Sequence, residues 1–195
     1  MDFKQAAKVL KEGYKKGYKI IVQKRENDYL VSDCRVMLQA PESFFQNFDR
    51  AMIPSLPVSV GESFSYQKGF DPTKGPDANN LLNDSYEKVK NLDCQLTKTG
   101  LFAKQEYGKE TWMAEFLQCY QQDFITFGQE KYLAIFDCEE MQAPAPKAPI
   151  VFLSQEGEPV GILAATYDRG GNWQESIQDI AAIYRNAGLR ESQAS

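Results

Sequence analysis

The sequence predicts an α+β fold, a largely antiparallel sheet with packed helices, and three features predict it. The chain opens on a segment whose apolar residues recur at helical spacing. Runs of β-branched and aromatic residues then alternate with short turn signals. Finally, Asp123 to Tyr167 reads as a strand, a short helix, a proline hinge at Pro144, Pro146 and Pro149, and a closing hairpin. The expected layout is one domain over residues 1–168 with a long inserted loop at 54–80, followed by a C-terminal helix and tail at 169–195. A chain of 195 residues with twelve Phe, ten Tyr and two Trp has the material for a substantial core.

Each element has its own signal. Asp2 caps a first helix with Phe3, Ala6, Ala7, Leu10 and Tyr14 on one stripe, and Gly13 and Gly17 end it. Tyr18 to Lys24 and Tyr29 to Leu38 form a hairpin through Glu26-Asn27-Asp28. Pro41 opens a helix carrying Phe44, Phe45, Phe48 and Met52, stopped by Pro54. The Pro/Gly-rich stretch from Pro54 to Asn80 predicts a surface excursion with a short strand at Glu62 to Tyr66, mobile and without periodic apolar anchors. Leu81, Leu82, Tyr86 and Val89 predict a helix over Asn79 to Asn91. Cys94 to Glu106 reads as extended; Glu110 to Tyr120 fits both helix and strand, with a strand pairing Phe124 to Phe127 preferred. Glu130 to Phe136 is a short helix, and Ile150 to Leu153 pairs with Pro159 to Tyr167 around Gln155-Glu156-Gly157-Glu158. Asn172 with Glu175 makes a capping box for a last helix bearing Ile177, Ile180, Ala181 and Tyr184.

Composition narrows the chemistry. There is no His, and Cys34, Cys94, Cys119 and Cys138 stand far apart without a CxxC pair, which argues against a zinc ribbon and for buried, reduced thiols. The best nucleophile would be Cys34 or Cys138 beside Asp33 or Asp137, yet nothing supplies an imidazole base. Gly69 to Gly75 lacks the Gly-Lys-Ser/Thr ending of a phosphate loop. No catalytic residue, cofactor or metal is therefore expected. No apolar run approaches the roughly 20 residues that span a membrane, and no secretory signal opens the chain, so the expected compartment is the cytoplasm.

Charge is unevenly placed. Net charge is −5, but residues 1–35 carry nine basic and five acidic side chains, a local +4 on a body of −9. Lys4, Lys8, Lys11 and Lys15 recur at spacings of four, three and four on the first helix. They form either a solvated face or a surface that tracks phosphates.

The strand, glycine and Tyr-Leu helix of Phe124 to Phe136, then the hairpin from Ile150 to Tyr167, resemble the last part of a domain of the bacterial DNA sliding clamp, the processivity subunit of the replicative polymerase. The opening helix and Tyr29-Leu30-Val31-Ser32-Asp33 resemble the start of such a domain. The resemblance implies two βαβββ halves and a non-catalytic scaffold, with helices facing DNA through basic side chains and an outer surface receiving a protein partner. The chain departs from that pattern at Ala164-Ala165-Thr166-Tyr167, where a further helix follows, and in the 54–80 segment. The alternative reading is a protein-protein interaction module with no nucleic-acid role, using the 54–80 loop or the C-terminal helix. A second echo, Tyr29 to Pro41 against Tyr132 to Pro144, needs gaps in both directions.

Overall fold

In the computed structural model, which describes residues 1–107, 110–136 and 139–164, the chain opens with helix α1 (Phe3–Lys15). The Asp2 carboxylate caps it, accepting from the backbone N–H of Lys4 at 2.9 Å and of Gln5 at 3.0 Å. It closes on Gly17 at φ 90°. There Gly17 N donates to Tyr14 O and Tyr18 N to Gly13 O, both at 3.0 Å. That reciprocal pair requires a left-handed residue, which glycine adopts without a Cβ clash.

The expected first hairpin is three strands: β1 (Ile20–Lys24), β2 (Tyr29–Ser32) and β3 (Val36–Ala40). Tyr29 to Leu38 is divided because the Asp33 side chain turns the backbone, accepting from Arg35 N and Val36 N at 3.0 Å each while Cys34 sits at φ 68°. The helix expected after Pro41 is a short 3-10 helix, Glu42–Asn47. Phe44, Phe45 and Phe48 are core as expected: Phe44 meets Phe45 and Phe48 edge to face at centroid distances of 5.5 and 5.3 Å, and Phe45 and Phe48 lie tilted at 6.3 Å. Phe48 itself is extended, at φ −108° and ψ 140°.

The 54–80 segment carries more structure than an excursion. It supplies β4 (Ser63–Tyr66) and β5 (Thr73–Lys74), and β4 pairs along β1 with Tyr66 opposite Ile20. Tyr66 is 1% exposed, and its hydroxyl donates to Ser55 O. The expected absence of an anchor is thus corrected: one aromatic residue every few positions suffices when it lands on the core face. Asp77 caps helix α2 (Ala78–Glu87).

Beyond α2 come β6 (Leu96–Tyr107), β7 (Glu110–Cys119) and β8 (Phe124–Gln129), so the ambiguous 110–120 segment is a strand. Helix α3 (Glu130–Leu133) runs into a 3-10 turn, Ala134–Phe136. Then follow β9 (Glu140–Gln142), β10 (Ile150–Leu153) and β11 (Pro159–Leu163), the last two closing around Gly157 at φ 81°. The C-terminal helix, its capping box, residues 165–167 of the closing strand, Asp137 and Cys138 lie outside the described residues.

The strands form two antiparallel sheets, one of order β5-β4-β1-β2-β3-β11-β10-β9 and one of order β6-β7-β8. The α+β class is as predicted. Six consecutive strands of the large sheet are two three-stranded meanders, β1-β2-β3 and β9-β10-β11, back to back at the β3–β11 pairing, with β4 and β5 added beyond β1. The second meander follows β8 and α3, giving the expected β-α-βββ order with its first strand in the other sheet. The first meander follows α1, with only two residues ahead of that helix. The Tyr29/Tyr132 echo does not mark this repeat, because its first copy lies in β2 and its second in α3.

Register places Ile20, Val22, Tyr29, Val31, Leu38 and Phe152 on one face, where Phe45 packs on Tyr29 and Phe136 on Phe152. The other face presents Ile21, Gln23, Leu30, Met37, Ile162 and Val151, and Gln23 bonds the start of α2. Burial on both faces explains why these strands read as continuous apolar runs.

Candidate nucleic-acid interface

Helix α1 buries Ala6, Ala7, Val9, Leu10, Gly13 and Tyr14. That fixes its rotation and leaves the lysine stripe on the other side. Lys4, Lys8 and Lys15 are exposed, whereas Lys11 is half-buried with its ammonium 5.9 Å from the Phe48 ring centroid. Four cations therefore share one side of a rigid element, and one of them lies partly along an aromatic surface.

Beyond the stripe, at the C-terminal end of α1, sits a buried polar cluster. Asp33 is 3% exposed; its Oδ1 receives the two backbone donors of its turn, and its Oδ2 accepts from the Tyr132 hydroxyl at 2.9 Å. Burial, then the Asp33 carboxylate, pushes the Tyr132 phenol well above its ordinary range. The Arg35 guanidinium lies 3.8 Å from the Tyr18 ring centroid. Burial works against its charge, but the side chains of Tyr18 and Tyr132 outweigh it and hold the guanidinium more firmly protonated than usual. Arg35 lines a cavity of about 250 Å³ together with Glu12, Lys16, Trp112, Glu130 and Lys131. A second, polar depression of about 390 Å³ lies at the β1–β2 turn, beside Arg25, Asp28 and Asp77. Hydrogen bonding from Gln23 holds the Asp77 carboxyl below its usual range.

The candidate nucleophile is not assembled. Cys34 is exposed rather than buried, because its left-handed turn position points it away from the core. Partial desolvation by the surrounding turn, then Asp33, pushes the exposed thiol up, with Lys19 and Arg35 opposing. The neighbouring Asp33 has both oxygens occupied. Cys94 and Cys119 are buried as expected. Among the described residues no three Cys, Asp or Glu side chains gather as a metal site, and no helix is long and apolar enough to cross a membrane.

The sequence pattern missed Arg35, Lys131 and Trp112 as neighbours. The packing of α3 against both α1 and β7 brings them together beside the turn that carries Arg35.

The chain matches no protein-family model and no curated protein. Among solved structures, one from Eubacterium rectale assigned as a DNA polymerase III beta subunit is similar at 11% identity and a TM-score of 0.32. The match covers 76% of this chain and 57% of that one, so the chain spans little more than half of that structure's length.

Proposed function

We propose that this chain is a non-catalytic scaffold of the sliding-clamp type, a processivity-type protein that contacts DNA through Lys4, Lys8, Lys11 and Lys15 and recruits a protein partner in the cytoplasm. The observation that carries the reading is the lysine stripe on the solvent side of α1, on a chain whose remainder is acidic. A local cationic strip attracts a polyanion while the acidic body repels it elsewhere, so contact is confined to one face. Four phosphate contacts release at most four counterions, giving a slope of about −3.6 in log affinity against log salt on duplex DNA. Between 50 and 200 mM salt this amounts to a loss of roughly 100-fold.

Fluorescence anisotropy with duplex DNA across a salt series, for the native chain and the fourfold Lys→Ala variant, tests the proposal. The variant is expected to lose most of the slope. Equal binding by the two proteins, or none at low salt, sinks the DNA contact and favours the second reading, an interaction module. That alternative draws on Val58, Val60 and Phe70, which stand 81%, 65% and 71% exposed in the segment between the 3-10 helix and β5.

A further inference from the structure

The cavity at the end of α1 combines three properties that the lysine stripe lacks. First, its inner cation is immobilised. Arg35 is pinned through its backbone, donating to Asp33 Oδ1 and accepting from Ala164 N at 2.7 Å, while its guanidinium is stacked on the Tyr18 ring at 3.8 Å from the centroid. Among the described residues it forms no ion pair. The carboxylate nearest to it in the network, Asp33, is saturated by Tyr132 and two backbone donors, so Arg35 keeps donors for something else. Second, two further cations line the same space. Lys16 comes from the end of α1, and Lys131, from α3, lies with its ammonium 4.7 Å from the Tyr132 ring centroid. Third, one wall is the Trp112 indole, a flat surface on which a planar ring can stack.

We infer that this cavity is a nucleotide site, with Arg35, Lys131 and Lys16 holding a phosphate and Trp112 packing against the base. A planar guanidinium fork is the side chain best shaped for a phosphate, and its fixed position removes the ordering cost that a free arginine carries. An aromatic side chain accepts any base, because every base has a π-face. Glu12 and Glu130 also line the cavity, and both are exposed. On the outer rim they can accept from sugar hydroxyls or base amino groups while the half-buried Arg35 takes the anion. At about 250 Å³ the space admits one nucleotide and excludes a duplex. A free nucleotide and an unpaired nucleotide of a strand lying along α1 present the same chemistry. Only the second source rests on the DNA reading above.

The chain holds two tryptophans, Trp112 and Trp173, so the Trp173→Phe protein reports on Trp112 alone. Thymidine 5′-monophosphate and a short oligothymidylate are titrated into it, with inorganic phosphate as competitor. Both ligands are expected to quench the indole, and phosphate to reverse the quench. Arg35→Gln should weaken binding about tenfold or more, as loss of a charge-assisted phosphate contact implies. Lys131→Gln, which removes the ammonium from the Tyr132 ring but leaves the hydrogen bonds to Asp33 in place, covers the case in which the arginine variant fails to fold, and it should weaken binding severalfold. No quenching by either ligand, or undiminished quenching in both variants, overturns the site. Quenching by the oligomer that vanishes in the fourfold lysine variant, with no response to the mononucleotide, overturns the site and keeps the DNA reading. Mononucleotide binding that survives in that variant, on a protein that does not bind duplex DNA, upholds the site and removes the DNA reading.

Discussion

Gly161 has no room for a methyl group, and the size of the penalty can be worked from its surroundings. A Cβ built there would fall 2.5 Å from two ring carbons of Phe136 and 2.7 Å from the carbonyl oxygen of Met37. Comfortable carbon contacts lie near 3.5 to 4.0 Å, so the overlap is about 1 Å on each side. Neither neighbour can retreat. The Phe136 ring is stacked on Phe152 with centroids 3.9 Å apart and planes 11° from parallel, and both are buried. The Met37 carbonyl belongs to β3, whose Leu38 is the partner of Gly161 across the seam. Overpacking against backbone sits at the upper end of its usual range, about 3 kcal/mol, and the smaller unfolded-state entropy of alanine returns only about 0.4 to 1 kcal/mol. Gly161→Ala should therefore cost about 2 kcal/mol net, a fall in Tm of roughly 4 to 8 °C for a chain of this length. Urea unfolding followed by circular dichroism measures it. Phe136→Leu opens the space, and the double variant should recover at least 0.5 kcal/mol relative to additivity. A Gly161→Ala protein within about 0.5 kcal/mol of the native chain, or strict additivity with Phe136→Leu, refutes the packing described for the seam.

Three other outcomes are expected. Tyr66→Ala should cost about 3 to 5 kcal/mol, the range for removing a buried aromatic side chain, and denaturant unfolding that shows less than 1 kcal/mol would return the 54–80 segment to the status of a dispensable loop. Tyr66 and Tyr132 both hold their protons more firmly folded than unfolded, the first through burial and then Glu62, the second through burial and then Asp33. Their contribution is complete below the unfolded phenol value near pH 10 and drains away above it, by up to about 1.4 kcal/mol per pH unit for each group; Tyr132→Phe should flatten that alkaline slope while costing about 1 to 3 kcal/mol at neutral pH through the orphaned Asp33 oxygen. Cys34→Gly should be neutral or stabilising by up to about 1 kcal/mol, since a left-handed position favours glycine, and thiol titration of the native chain should reach Cys34 ahead of Cys94 and Cys119; a destabilised glycine variant would contradict the turn.

The elements that could be read in advance were those with a complete local signal. The α1 stripe carries its own cap, its own glycine stop and six buried positions, so nothing distant was needed to find it. The β10–β11 hairpin announced itself through Glu156-Gly157 between apolar runs. The 3-10 geometry after Pro41 was hidden because Phe44, Phe45 and Phe48 satisfy helical spacing equally well, and their mutual ring packing decides otherwise. The Asp33 turn was hidden for a similar reason: a single carboxylate interrupts a run that otherwise favours strand throughout. For the candidate site, the lysine stripe was visible as periodicity, but the cavity was not. Arg35 and Lys131 are nearly a hundred residues apart, and no periodicity links them.

The seam between β3 and β11 also sets a timetable for the chain as it is made. Val36, Met37 and Leu38 leave the ribosome about 125 residues before their partners Leu163, Ile162 and Gly161 exist. At roughly 5 to 20 residues per second that interval lasts about 6 to 25 s. During it the β1-β2-β3 meander can form while its last strand offers an open, apolar edge to any other chain nearby. A nascent chain with that edge is a natural client for a chaperone, and slowing translation between residues 40 and 160 should raise its loss to aggregation even though the finished fold is untouched.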